Sequence, residues 1–300
     1  MQIRLSISLV TRNRYSSLER WLKSIRSQTM QPYEIIISDD SDFENKELNR
    51  KLAIKYRAIY IDGPQKGLSA NRNNAFIYCK GTHILSADDD HTHPIDFIEK
   101  IYFKLLEYPE NIWIISEKDS EFSNIPLACP AEINYNGLAG CKPENPDNSC
   151  AISCGATVYP ISLFKLYKLY YPENYTFGNI WYLWGLMLNK VGFQIRFLSS
   201  TFVIHNWRDT VETSRGYDAE FIASILEANY FVALCYNREF KKSWQLSIFL
   251  FFHSLRLILF RNTLPTYNKS VRLSINRILN AKKHSRDFSL VWRKYLLIIK

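Results

Sequence analysis

Residues 3–10 (IRLSISLV) alternate apolar with polar side chains and are rich in β-branched residues, which predicts a strand. The pattern breaks at Thr11–Arg14. Residues 15–28 then place Leu18, Trp21, Leu22 and Ile25 on one face of a helix. EIIIS at 34–38 is a continuous apolar run, the mark of a strand covered on both sides. Helices near 44–56 and 68–79 alternate with strands near 57–61 and 82–86. This alternation predicts an α/β fold built on a doubly wound, mostly parallel sheet.

A further helix and strand fill 94–116. Residues 117–150 are rich in Pro, Asn and Gly with little periodicity, and read as a long functional loop. Strand character returns at 151–159, and a helix near 179–190 and two strands near 193–205 close the domain. Beyond Tyr217 the pattern turns helical. The chain thus divides into a domain over 1–215 and a helical C-terminal region over 216–300.

In doubly wound sheets, ligands sit beyond the carboxyl ends of the strands. The polar clusters Thr11–Arg14, Asp39–Asp42 and Asp88–His91 all fall there. SADDDHTHP (86–94) empties a strand into three consecutive carboxylates, which repel one another and resist desolvation. A hard divalent cation, Mg²⁺ or Mn²⁺, resolves that conflict and accepts phosphate oxygens alongside. A solvated acidic turn leading into the next helix fits the triplet equally well.

EIIISDDSD (34–42) is a second strand ending in acid. Asp39 or Asp40 is a candidate acceptor for a base or ribose, and helix capping by Ser41 or Asp42 is the plainer account. In KGLSANRNN (66–74), Arg72 follows a glycine turn early on a helix. Its planar fork suits phosphate or a polar base edge, although by itself it reads as an exposed helical arginine.

Charge changes the picture once it is located. The chain of 300 residues carries a formal net charge of +9, yet residues 238–300 alone hold 14 Lys/Arg against 2 Asp/Glu. The remainder is close to neutral, which argues against nucleic acid and for a surface contact made by the tail. MQIRLSISLV enters a strand pattern at once instead of a signal peptide, so reduced thiols are expected. Cys129, Cys141, Cys150 and Cys154 are close in sequence but lack paired Cys-x-x-Cys knuckles, and ordinary thiols are the better reading than zinc.

Taken together, ISLVTRNRYSSLERWLKSIRSQT, EIIISDDSD, GLSANRNNA and ILSADDDHTHPIDFIE resemble, in order and spacing, the blocks of family 2 glycosyltransferases. The resemblance is close over about residues 3–100 and looser to 207. It implies a GT-A fold with a nucleotide-binding half (1–100) and an acceptor half (101–215). It further implies that Thr11 and Arg14 lie at the nucleotide, that Asp39 reads the base, and that Arg72 sits near base and diphosphate. Asp88 aligns with a ribose-contacting acid that also lies at the metal, Asp90 with the metal ligand, and His205 in FVIHNW with the histidine completing the diphosphate–metal site. A structural histidine is the plainer account of His205.

The implied activity is inverting transfer from a UDP- or dTDP-sugar to a glycan or lipid-linked acceptor in surface polysaccharide synthesis. Relatives carry an acidic pair before the helix near 179–190, where this chain has Asn179, Ile180 and Trp181. None of these is a base near neutral pH, so Glu173 becomes the candidate general base, with Asp209 and Glu212 farther along. The missing pair also leaves open a degenerate GT-A protein that binds nucleotide or a partner without transfer. A pyrophosphorylase fits poorly, because TRNRY lacks a glycine-rich basic loop.

WQLSIFLFFHSLRLILF (244–260) is short for a membrane span and is interrupted by His253 and Arg256. With its basic flanks it reads as an interfacial anchor on anionic lipid, at the inner face of the plasma membrane, or else as a packed helical subdomain.

Overall fold

A computed structural model describes residues 2–124, 155–171 and 192–206 throughout. Outside these runs it describes 126–128, 132–133, 139–141, 145, 173, 184–185, 188–189, 223, 269, 271–273 and 276. The Asn179–Trp181 triplet, Asp209, Glu212, nearly all of 216–300, Cys129, Cys150, Cys154 and the Cys141 side chain lie outside the described residues.

The strands are β1 (Leu5–Thr11), β2 (Glu34–Asp39), β3 (Ile59–Asp62), β4 (His83–Asp88), β5 (His91–Thr92), β6 (Ile112–Lys118), β7 (Pro126–Ala128), β8 (Glu132–Ile133), β9 (Ala139–Cys141), β10 (Ala156–Pro160) and β11 (Ile195–His205). The helices are α1 (Tyr15–Arg26), α2 (Phe43–Lys55), α3 (Leu68–Tyr78), α4 (Phe97–Glu107) and α5 (Ser162–Lys165). The main sheet runs β3-β2-β1-β4-β10-β6-β11-β5, with β7 on β6.

Strands β3, β2, β1 and β4 are parallel, as the alternation predicts. The far half is mixed, because β10 enters antiparallel between β4 and β6. The two strands expected near 193–205 are one strand, β11, whose register on β6 shifts between Leu198 and Phe202. The loop over 117–150 contains the short strands β7, β8 and β9. Among the described residues no helix is long and apolar enough to cross a membrane.

The continuous run in β2 follows from its central place. Ile35 and Ile37 enter the apolar cluster under α1, α2 and α4, while Ile36 enters the one under α3 and α5. Helix α1 buries Leu18, Trp21, Leu22 and Ile25 completely, the face its sequence periodicity indicates, and ends on Lys23 and Arg26, which suit its C-terminal dipole.

Helix α3 obeys a different rule. Its inner face is mixed: Ala75 and Phe76 join the apolar cluster, and Asn71, Arg72 and Asn73 are buried beside them. The two asparagines are satisfied across the interface: Asn71 donates to the Ser38 carbonyl and accepts from its hydroxyl, and Asn73 clasps the backbone of Tyr171. Such a helix can sit on the sheet only where these partners are waiting.

Candidate active site

Three loops meet at the carboxyl edge of the parallel strands. Register puts Thr11 beside Asp39 and Val10 beside Asp88, so the ends of β1, β2 and β4 are level. Thr11 is buried and donates its hydroxyl to Asp89 Oδ2 at 2.6 Å. Arg14, just before α1, reaches Asp89 Oδ1 at 3.1 Å and Asp90 Oδ2 at 3.2 Å through one Nη1. Burial works against the Arg14 charge, but Asp89 and Asp90 outweigh it and raise its pKa.

The conflict expected among three adjacent carboxylates is therefore largely met by protein groups. Asp88 Oδ1 accepts from Arg72 Nη2 at 2.6 Å, and Arg72 Nη1 donates to the Ser86 hydroxyl. Arg72 is fully buried, which corrects the picture of an exposed helical arginine. Burial together with the neighbouring Asp90 charge raises the Asp89 carboxyl to about 7, against the pull of Arg14 and Thr11. Burial pushes Asp90 the same way, yet His205, His91 and Arg14 hold it below the ordinary carboxylate range.

Asp90 differs from its neighbours in one respect: its Oδ1 is buried without a hydrogen-bond partner. His205, at the end of β11, lies with Nε2 3.5 Å from Asp90 Oδ2 and Nδ1 3.4 Å from Glu117 Oε2. Burial opposes the His205 charge, but Asp90 and Glu117 raise its pKa to about 10. Asn206 fixes this corner by donating its backbone N–H and its amide to the Asp90 carbonyl.

Ligand atoms of Asp90, His91 and His205 all lie within 4.8 Å of one another. The orphaned Oδ1 and this clustering fit a divalent cation. Asp88 is engaged with Arg72 beside them.

At the other end of the cleft edge, Asp39 is fully buried. It accepts from the Ser41 amide, the Asn49 amide group and the Tyr60 hydroxyl. Burial and the Asp39 charge raise the Tyr60 pKa, keeping it a donor. Asp40 accepts from the Gln65 amide at 2.7 Å, and its pKa is raised chiefly by burial. Asp42 occupies the α2 N-cap position without a side-chain capping bond. The acids after β2 thus order a turn instead of capping the helix.

Glu173 is exposed and accepts from Asn73 Nδ2 at 3.0 Å, so the Asn73 clasp on Tyr171 also holds this carboxylate. Sequence reading missed Asp89, His91, Asn73 and Asn206. Asp89 and His91 lay inside the acidic block and Asn206 directly after His205, but nothing local marks their partners.

Residues 6–131 match the family model described as Glycosyl transferase family 2. This stretch belongs to that family, and the chain has a GT-A fold. Glycosyltransferase GlyA of Streptococcus pneumoniae is 30% identical over 97 residues, which cover 32% of this chain and 14% of that protein. The matched segment is therefore a small part of the relative's length.

Among solved structures, S. aureus TarS 1–349 in complex with UDP-GlcNAc aligns at TM-score 0.60 and 16% identity, over 90% of this chain and 79% of that one. GalNAc-T7 with UDP, GalNAc and Mn²⁺ aligns at TM-score 0.63 and 16% identity, over 80% and 49%. At these identities the likeness is one of fold.

Proposed function

We propose that this chain transfers a sugar from a UDP- or dTDP-sugar to a hydroxyl of a glycan or lipid-linked acceptor, with inversion. One observation carries the reading: Arg14, Arg72 and the acidic triplet, all inside the segment that matches family 2, converge with His205 at the carboxyl edge of the parallel strands. The UDP and UDP-GlcNAc complexes of TarS support a uridine donor.

In this reading Thr11, Arg14 and Arg72 line the nucleotide and diphosphate, Asp88 takes the ribose, and the Asp39–Asp40 corner faces the base. Asp90 and His205, with Asp88 beside them, would hold Mg²⁺ or Mn²⁺, which supplies Lewis-acid neutralisation of the departing diphosphate. The acceptor oxygen attacks the anomeric carbon as the bond to the diphosphate oxygen breaks, and its proton passes to a carboxylate. Glu173, steadied by Asn73, is the proposed base. The basic segment 238–300 is proposed to rest on anionic lipid at the inner face of the plasma membrane, in surface polysaccharide synthesis.

A second reading, a GT-A protein that binds nucleotide without transfer, draws on Asn179, Ile180 and Trp181 standing where relatives carry acids. Incubation with a panel of UDP- and dTDP-sugars, with and without Mn²⁺, tests the choice. Transfer predicts nucleotide release that needs the metal and rises with a suitable acceptor. Tight nucleotide binding with no release on any donor favours the second reading.

A further inference from the structure

The acidic block ends in a histidine that the reading above does not use. His91 is buried, and strand β5 pairs with β11 so that His91 stands directly opposite His205. Their rings meet edge to face, with centroids 4.9 Å apart. His91 Nδ1 lies 3.1 Å from the Gly155 carbonyl. A carbonyl can only accept, so Nδ1 is the donor here, which in the neutral ring leaves the lone pair on Nε2.

That lone pair faces Asp90 Oδ1 at 3.7 Å, beyond hydrogen-bond reach, and Asp90 Oδ1 is itself the buried oxygen without a partner. His205 is placed in a similar way, with Nδ1 facing Glu117 and Nε2 facing the other oxygen of Asp90, where a bound cation would take the place of its proton. An outer acceptor on one ring nitrogen, with the other nitrogen turned inward, is how ligating histidines are oriented. Two ligands about 2.1 Å from one ion stand roughly 3.0–3.4 Å apart. Here the imidazoles lie 3.7 and 3.5 Å from the two Asp90 oxygens and the three ligand atoms within 4.8 Å of one another, so binding would draw them together.

Gly155 belongs to the same device. A Cβ there would stand 2.7 Å from His91 Cε1 and 2.4 Å from Asp88 Oδ2, so only glycine lets this carbonyl approach the imidazole.

We propose that His91 is a protein ligand of the metal, making the site Asp90–His91–His205, and that its two imidazoles favour Mn²⁺ over Mg²⁺. The inference rests on the metal-dependent reading above. Carboxylate and water suit Mg²⁺, which seldom gives up oxygen ligands, whereas Mn²⁺ lies nearer the nitrogen-accepting metals.

Pulsed electron paramagnetic resonance on the full chain, labelled with ¹⁵N-histidine and loaded with Mn²⁺ and UDP, counts the coupled imidazoles. The expected count is two in the wild type and one in His91→Gln, with Mn²⁺ affinity falling at least about tenfold in that variant. Mg²⁺ should displace Mn²⁺ poorly from the wild type and more readily from His91→Gln. A bound Mn²⁺ with one coupled nitrogen or none in the wild type overturns the role of His91 and leaves metal binding intact. No Mn²⁺ binding in the wild type overturns both. The wild-type count stands even if His91→Gln fails to fold.

Discussion

Arg72 donates from Nη2 to Asp88 Oδ1 at 2.6 Å, joining a fully buried helical residue to an acid at the end of β4 that is still 28% exposed. This ion pair ties α3 to the carboxyl edge of the sheet. Arg72→Ala removes one donor from Ser86 and one from Asp88. The expected destabilisation is about 2–3 kcal/mol, below that of breaking a fully buried pair, because Asp88 retains solvent. Arg72→Lys should recover part of the stability but not nucleotide affinity, since an ammonium cannot reproduce the fork. Denaturant titration and calorimetry with UDP read the two effects separately.

The Asn73 clasp predicts a split between folding and turnover. Asn73→Ala frees both the Tyr171 backbone and Glu173. If Glu173 is the base, Glu173→Gln should lower turnover by roughly a hundredfold or more with donor affinity nearly unchanged. Asn73→Ala should then lower turnover in the same direction while also reducing stability. Normal turnover in Glu173→Gln assigns the proton to another group.

His93 sets an acid limit on stability. It is buried against Trp21 and Phe97, and burial, with His91 nearby, holds its pKa well below the ordinary value. The unfolded chain takes up this proton near pH 6.5, and the folded one only at much lower pH. A folded-state pKa below the unfolded one means that the contribution is full above about pH 6.5. It falls by about 1.4 kcal/mol per pH unit below that, until the folded value is reached. Denaturation midpoints of wild type and His93→Phe should therefore shift in favour of the variant between about pH 7.5 and pH 5.5. A constant difference across that range contradicts a neutral buried His93.

The tail makes a separate prediction. With 14 Lys/Arg against 2 Asp/Glu, residues 238–300 should bind anionic liposomes strongly at low salt, weakly at high salt, and not at all once removed. Equal cosedimentation with neutral and anionic liposomes removes the electrostatic part. No binding to either points to a packed helical subdomain.

The parallel half of the fold was legible because its information is local. Periodicity in α1 and the apolar run in β2 report burial directly, and the acids close β2 and β4 where ligands sit. The far half was not legible in the same way. That β10 inserts antiparallel, or that β11 is one strand with a register shift, depends on pairings between distant segments that no window of sequence contains.

The site shows the same division. Asp88 and Asp90 stood out as a run of like charge, and His205 through a resemblance. His91, also in view, gained its meaning only from standing opposite His205 across β5 and β11. Arg72 looked exposed because a buried arginine needs a partner, and that partner lies on another strand.

The central claim is that Asp90 anchors a cation that holds the nucleotide diphosphate. Calorimetry of UDP binding with and without Mn²⁺, in wild type and Asp90→Ala, tests it most directly. Mn²⁺ should strengthen UDP binding to the wild type by at least about tenfold, as expected where a cation offsets diphosphate charge. In Asp90→Ala the metal should make no difference. Metal-dependent affinity that survives unchanged in Asp90→Ala would contradict the assignment.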